Sequence, residues 1–537
     1  MPMPEQFQAP KVRTIDVQLK AGFGEAWLRL QVTELGGAGW SVCPVPFNLQ
    51  CDEFDVVPET DVEPARAWDF ARELRACDGV VDAEPTFEVL YAEPRAQAFT
   101  GVDPDIIRSP QLLESLGGPA ESGGAYDWSV KLVQAEEAWE LPGGVARQGQ
   151  GIRIGHPDSG YEQHAELGTR FNPVPGWDFI EQARPTQNPG GDHGLRTASV
   201  ISSADNRPQP SVTGIAPGAE VIPLRVTKPH GFIPAPVLFE TGTDRLRDAI
   251  WYALEHGFHV LSISLGWLPN AGLHRAIQEA VKGNIIVISA AGNHTGRVVV
   301  WPAAYPEVIA MAACTAQRTP WQGSARGPAV DATGPGEGVW TADMEKYVAP
   351  SSGTSYAVAT VAGIAALWLA HHGRDNLLAR YKDGPRLSQV FRHMLRASCQ
   401  PWEQSEALWG AGIVNALECL KTPLPEFPAP ERAGTMATSR AALTAERLED
   451  AFPAIPEPRL HQHLARVLGV DGKAVPKLLA EHGRELRFWL LTQPGFRRAL
   501  AESSVPALET SRGAERPTLP RFSDGLSKAL REARLTD

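Results

Sequence analysis

Between residues 152 and 370 short apolar runs alternate with longer amphipathic segments, and this alternation limits the fold more than any other feature of the chain. Strand-like runs occupy 152–155, 219–226, 258–265, 284–290 and 308–314, and helix-like segments occupy 243–256, 270–282 and 354–370. Strands joined through helices rather than tight turns run parallel, because a parallel pair needs a crossover long enough to return to the same edge. The pattern predicts an α/β domain in three layers, a mostly parallel sheet with helices on both faces. In the last segment Ala357, Val361, Ile364, Ala365 and Trp368 recur at spacings of three and four, which predicts a helix with one buried side.

That helix begins beside a hydroxyl. Ser355 follows the turn Gly353-Thr354, where unpaired N–H groups and the positive end of the helix dipole favour developing negative charge. Serine and threonine are also ordinary helix caps, so the placement alone does not make a nucleophile. Two other element boundaries add to it. Asp158 closes the apolar run 152–155 and precedes Ser159-Gly160, at the strand end where α/β sheets gather functional groups. His193 opens a helix-like stretch after the glycine-rich turn Gly190-Gly191-Asp192. A turn aspartate or a lone surface histidine is common, but an acid, a base and a hydroxyl each at an element boundary form a set.

These three segments resemble those of the subtilisin-like serine proteases, in which the acid, the histidine and the serine follow in this chain order. Ala290-Ala291-Gly292-Asn293 is similar to the family segment that carries an oxyanion-hole asparagine, and Ser262-Ile263-Ser264-Leu265-Gly266 to the strand that lines the substrate cleft. Gly214-Ile215-Ala216-Pro217 and Trp301-Pro302-Ala303-Ala304 also resemble family connections, and the likeness spans about residues 126 to 420. The resemblance implies a subtilisin-like fold with Ser355 as nucleophile, His193 as general base and Asp158 as its orienting partner. It implies further that Asn293 and the Ser355 N–H hold the oxyanion, and that Ser264, Leu265, Gly266, Ala290, Ala291 and Gly292 line an extended substrate, with Trp267 and His294 flanking them. The chain departs from the family pattern at Pro157, where an aliphatic strand residue is usual, at Leu195, where threonine is common, and at Ala359, where proline is usual. Proline lacks a ladder donor, so the strand is expected to bend or end at Pro157. None of the three removes a reacting group.

The flanks read as further domains. Residues 1–95 are expected to form a small α+β unit with a strand over Ala26–Val32, strands near Ser41 to Val57, a helix over 64–76 and a strand over 80–90, and they resemble an inhibitory subtilase propeptide. Residues 96–125, rich in proline and glycine, read as a linker with a processing region, 126–420 as the catalytic domain, and 421–435 as a proline-rich linker. Residues 436–537 are expected to form a separate helical domain, with Leu460, Leu464, Val467 and Leu468 on one face and Leu486, Trp489 and Leu490 on another.

Composition narrows the partners. A formal net charge of -13 argues against nucleic acid, and no stretch reads as a membrane span, so the expected partners are a protein or peptide substrate, the chain's own N-terminal domain and a protein partner for the C-terminal helices. The start, Met1-Pro2-Met3-Pro4-Glu5, has no basic and apolar leader pattern, which with six sparse cysteines leads to a cytoplasmic expectation. A bridge between Cys43 and Cys51 is open to the chain only in an oxidising compartment. No cofactor is required by the chemistry; subtilases often carry calcium in irregular loops, and no compact calcium-loop motif is present. The expected function is a serine endopeptidase made as a self-processing precursor and used on restricted targets. The alternative is a catalytically silent binding or scaffold protein whose cleft is filled by the N-terminal domain.

Overall fold

The computed structural model describes residues 10–37, 39–93, 127–141, 148–184, 192–204, 211–230, 237–266, 268–293, 298–344, 347–426, 457–493, 496, 500 and 519–534. The linker expected at 96–125, residues 427–435 of the second linker, Trp267 and His294 lie outside them. The chain divides into two compact units, one of Leu90–Trp267 and Leu273–Ala442, the other of Met3–Val89, Leu268–Gly272 and Leu443–Asp537.

The second unit begins with strand β1 (Lys11–Leu19), helix α1 (Glu25–Glu34), strands β2 (Trp40–Pro44) and β3 (Glu53–Pro58), helix α2 (Pro64–Arg75) and strand β4 (Val80–Glu93). The strands pair antiparallel in the order β2-β3-β1-β4. Ile15, Val17, Phe54 and Val56 from the sheet meet Leu28, Phe70 and Leu74 from the helices in one core. The strand expected over Ala26–Val32 is instead α1. Leu28, Leu30 and Val32 alternate as a strand would, but Leu30 is 63% exposed and only Leu28 and Val32, one helical turn apart, are buried. Strand β1 was not anticipated, and α2 starts with Pro64 in its first turn, where the missing N–H costs nothing.

The first unit is built on a seven-stranded sheet. Its elements are β5 (Arg153–Asp158), β6 (Trp177–Asp178), α3 (His193–Ser202), β7 (Glu220–Arg225), an antiparallel hairpin β8 (Thr227–His230) and β9 (Val237–Gly242), α4 (Thr243–Glu255), β10 (Val260–Ile263) and α5 (Ala271–Lys282). There follow β11 (Ile286–Ala290), β12 (Ile309–Cys314), β13 (Ala332–Pro335), the antiparallel pair β14 (Val339–Asp343) and β15 (Tyr347–Ser351), α6 (Thr354–His372) and α7 (Leu387–Ala397). The order β13-β12-β11-β10-β5-β7-β6 is parallel throughout, as the alternation predicted. From β5 the chain adds strands on one side and then returns to add β10 on the other. The crevice between the ends of β5 and β10 is therefore a topological switch point, the usual place for a functional site.

Two local expectations are refined. Helix α6 is buried on every side from Thr354 through Leu369, not on one side alone. Among the described residues it is also a helix long and apolar enough to cross a membrane, with mean hydropathy 1.3, yet 89% of that window is buried inside the protein as a core helix. Pro157 does not end β5, which pairs with β7 through Asp158, but pairing with β10 is confined to Ile154 and Gly155. The missing N–H thus falls where one ladder has already stopped.

The C-terminal helices are α8 (Glu457–Leu468), α9 (Val475–Thr492) and α10 (Asp524–Glu532). Leu460, Leu464, Leu468, Leu486, Trp489 and Leu490 are buried as their spacing predicted, with Val467 partly so. They do not close a core of their own. The same apolar cluster includes Val12, Ala67, Trp68 and Phe87, so residues expected to form a separate domain belong to one unit with the N-terminal domain. Cys43 and Cys51 are unbridged, as are the other four cysteines.

Candidate active site

Three elements deliver one side chain each to the switch point. Asp158 ends β5, His193 is the first residue of α3, and Ser355 lies in the first turn of α6. All three are at most 3% exposed. His193 Nδ1 is 2.7 Å from Asp158 Oδ1, and His193 Nε2 is 3.3 Å from Ser355 Oγ. An ionised carboxylate only accepts, so the imidazole donates from Nδ1 and turns an acceptor lone pair to the serine. Burial opposes the charge on Asp158, but the neighbouring His193, its hydrogen bond, His156 and the Ser159 N–H together hold the carboxyl below the usual range.

The approach of α3 to β5 is set by a glycine. A Cβ on Gly194 would lie 2.8 Å from the Gly160 carbonyl oxygen and 3.4 Å from Asp158 Oδ1, so only glycine lets the helix start this close to the acid. The Gly194 N–H, one of the unpaired donors of the first turn, is taken by Ser159 Oγ at 2.9 Å. Farther along, Arg196 bonds Asp343 and Ser351 of the β14–β15 pair, fixing the helix from its other side.

Ser264, directly after β10, meets the nucleophile candidate twice. Ser355 Oγ donates to the Ser264 carbonyl at 3.1 Å, and Ser264 Oγ donates to the Ser355 carbonyl at 3.2 Å. Ser264 and Leu265 are buried, and Gly266 is half-buried against Val300. Of the second expected cleft segment, Ala290, Ala291 and Gly292 are buried, with Ala291 bonded through its backbone to Met311 and Val300. The pairing of Ile263 with Ser289 brings the two segments side by side.

Asn293 leaves the end of this second segment. Its side-chain oxygen accepts from the Thr354 N–H at 3.0 Å and from the Thr354 hydroxyl at 2.9 Å. That fixes the amide plane. A Cβ on Gly353 would sit 3.3 Å from Asn293 Nδ2 and 3.7 Å from both Ser355 N and Ser355 Oγ. The amide, the Ser355 N–H and the hydroxyl therefore surround one space beside Gly353, an arrangement able to hold an oxygen that becomes negative as serine attacks.

Two residues of the site escaped the sequence reading. His156 is fully buried, its Nε2 2.9 Å from Thr197 Oγ1 and 4.0 Å from Asp158 Oδ2. Burial is the main reason its imidazole is lowered to about 4, with His193 adding to the effect and Asp158 opposing it. Thr197 in turn donates to the His193 carbonyl at 3.0 Å, so His156 braces the helix that carries His193. The signal was available, because residues two apart on a strand share a face.

A family model described as the subtilase family matches residues 149–388. Thermitase of Thermoactinomyces vulgaris is 32% identical over 297 residues, which cover 55% of this chain and 95% of thermitase. The chain belongs to the subtilase family. Subtilisin Savinase of Lederbergia lenta is 27% identical over 290 residues, covering 54% of the subtilase described here and 96% of its relative. M-protease of Shouchella clausii is 28% identical over the same number of residues, 290, covering 54% of this subtilase and 68% of its relative. With the parallel sheet already described, these likenesses make the chain a serine endopeptidase of subtilisin type with a subtilisin-like fold. The matched part is about half of its length.

Proposed function

We propose that this subtilase cleaves peptide bonds through an acyl-enzyme on Ser355. The reading is carried by the alignment Asp158–His193–Ser355, with Nδ1 2.7 Å from the carboxylate and Nε2 3.3 Å from the hydroxyl. His193 takes the hydroxyl proton as Ser355 attacks the scissile carbonyl and returns it to the leaving amine. Asp158 holds the imidazole in the tautomer that accepts at Nε2 and stabilises its charged form. The oxyanion falls to Asn293 Nδ2 and the Ser355 N–H, while Ser264, Leu265, Gly266, Ala290, Ala291 and Gly292 flank an extended substrate strand. The 3.3 Å spacing between Nε2 and Oγ is that of a resting site and shortens when substrate displaces the hydroxyl from Ser264.

The N-terminal domain is read as a propeptide and the chain as a self-processing precursor acting on restricted protein targets. Support comes from the small antiparallel α+β architecture of β1 to β4 with two helices, which matches the size and type of such an inhibitor. Intact mass after expression of wild type beside Ser355→Ala tests this. A shortened wild type with a full-length variant supports self-processing, and two full-length chains would sink it.

A further inference from the structure

We infer that helices α9 and α10 form a docking surface for the N-terminal domain of this same chain, one that retains that domain after the covalent link to the catalytic unit is cut. The inference rests on the self-processing reading and extends it, by assigning retention of the N-terminal domain to the C-terminal helices.

Three kinds of contact join the N-terminal domain to these helices. The first is apolar: Phe87 of β4 stacks on Phe488 of α9 with ring centroids 4.1 Å apart, and Trp68 of α2 meets the same Phe488 ring at 5.9 Å. Trp68, Phe87 and Phe488 are each under 5% exposed, so separation would return three large aromatic surfaces to water. The second is a helix cap supplied from far away in the sequence. Both carboxylate oxygens of Asp69, in α2, accept from the first turn of α10, from the Asp524 N–H at 2.7 Å and the Gly525 N–H at 2.9 Å. An acid at a helix N-terminus satisfies orphan donors and meets the positive dipole end, and Asp69 is 6% exposed, so its loss would leave those donors without it. The third is an ion pair, in which Nη1 of Arg484 in α9 donates to both oxygens of Asp82 in β4 at 2.8 and 2.9 Å. Glu84 Oε2 stands 3.7 Å from the same guanidinium.

These contacts tie α2 and β4 to α9 and α10, and none passes through the link that processing would cut. Cleavage then leaves a two-chain complex in which the N-terminal domain stays attached to the C-terminal helices. Its departure requires displacement of the C-terminal helices, which therefore govern how long an inhibitory domain persists after processing.

The test uses the full chain carrying Ser355→Ala, with a recognition sequence for an outside site-specific protease inserted between residues 94 and 126. After cutting, the release rate of the N-terminal fragment is followed by size exclusion upon dilution. The fragment is expected to co-elute with the rest. Phe488→Ala is expected to speed its release at least about tenfold, and Asp82→Ala and Arg484→Ala to speed it singly but non-additively when combined. Should Phe488→Ala disrupt α9, the cycle on the ion pair decides. Immediate loss of the fragment from the parent protein, or rates untouched by all the substitutions, would overturn the inference. Because the chain is inactive and cut from outside, failure here is distinct from failure of self-processing, which the wild-type mass reports.

Discussion

His156 and Asp158 share one face of β5, with Nε2 of the first 4.0 Å from Oδ2 of the second. The acid is thus bonded to His193 through one oxygen and faced by a second imidazole on the other. Burial keeps His156 neutral, at about 4, so Asp158 retains its charge for His193. The groups facing His156 are Asp158, His193 and the Thr197 hydroxyl, with the Phe171 ring edge-on at 6.2 Å.

The folded value for His156 lies below the unfolded histidine value of about 6.5, so between the two the unfolded chain binds a proton that the folded chain refuses. Its contribution to stability is complete above about pH 6.5 and is lost as pH falls through 4. Replacing His156 with Leu is expected to reduce the stability difference between pH 7 and pH 4 by up to about 3 kcal/mol, at some cost in packing at both. Urea unfolding across that range checks it, and an unchanged pH dependence contradicts it.

Gly194→Ala forces a methyl against the Gly160 carbonyl and toward Asp158. The first turn of α3 must move, and His193 with it. A stability loss of about 1–3 kcal/mol is expected, with kcat falling more than KM rises. Thermal unfolding together with steady-state kinetics reads both effects.

Much of this site was legible because each reacting residue sits where a strand ends or a helix begins, and such boundaries carry glycine and small polar residues that a sequence displays. Asp158, His193, Asn293 and Ser355 are all of that kind. The shared core of Trp68, Phe87 and Phe488 was not legible, since nothing local to 68, 87 or 488 says that they meet. Each segment showed only an apolar face needing a cover. Helix α1 was misread as a strand because its exposed Leu30 completes a false alternation, and propensity cannot tell which apolar residue is left in water.

Asn293→Ala removes the side-chain amide beside Gly353 and also the acceptor of the Thr354 N–H. A fall in kcat of about 10²–10³-fold with KM nearly unchanged is expected, because the amide acts on charge that exists only as the reaction proceeds. Thr354→Val keeps the amide and its bond from the backbone N–H but removes the hydroxyl donor, and a smaller loss is expected. Kinetics on one peptide substrate for both variants, with equal losses or a KM effect alone, would tell against the oxyanion assignment.

Activation of Ser355 by His193 is read most directly from the rate at which a fluorophosphonate labels the folded protein, with the adduct mapped by peptide mass. A single adduct on Ser355 is expected, absent in Ser355→Ala and formed at least about 10²-fold more slowly in His193→Ala. An adduct elsewhere, or equal rates in wild type and His193→Ala, would contradict the account.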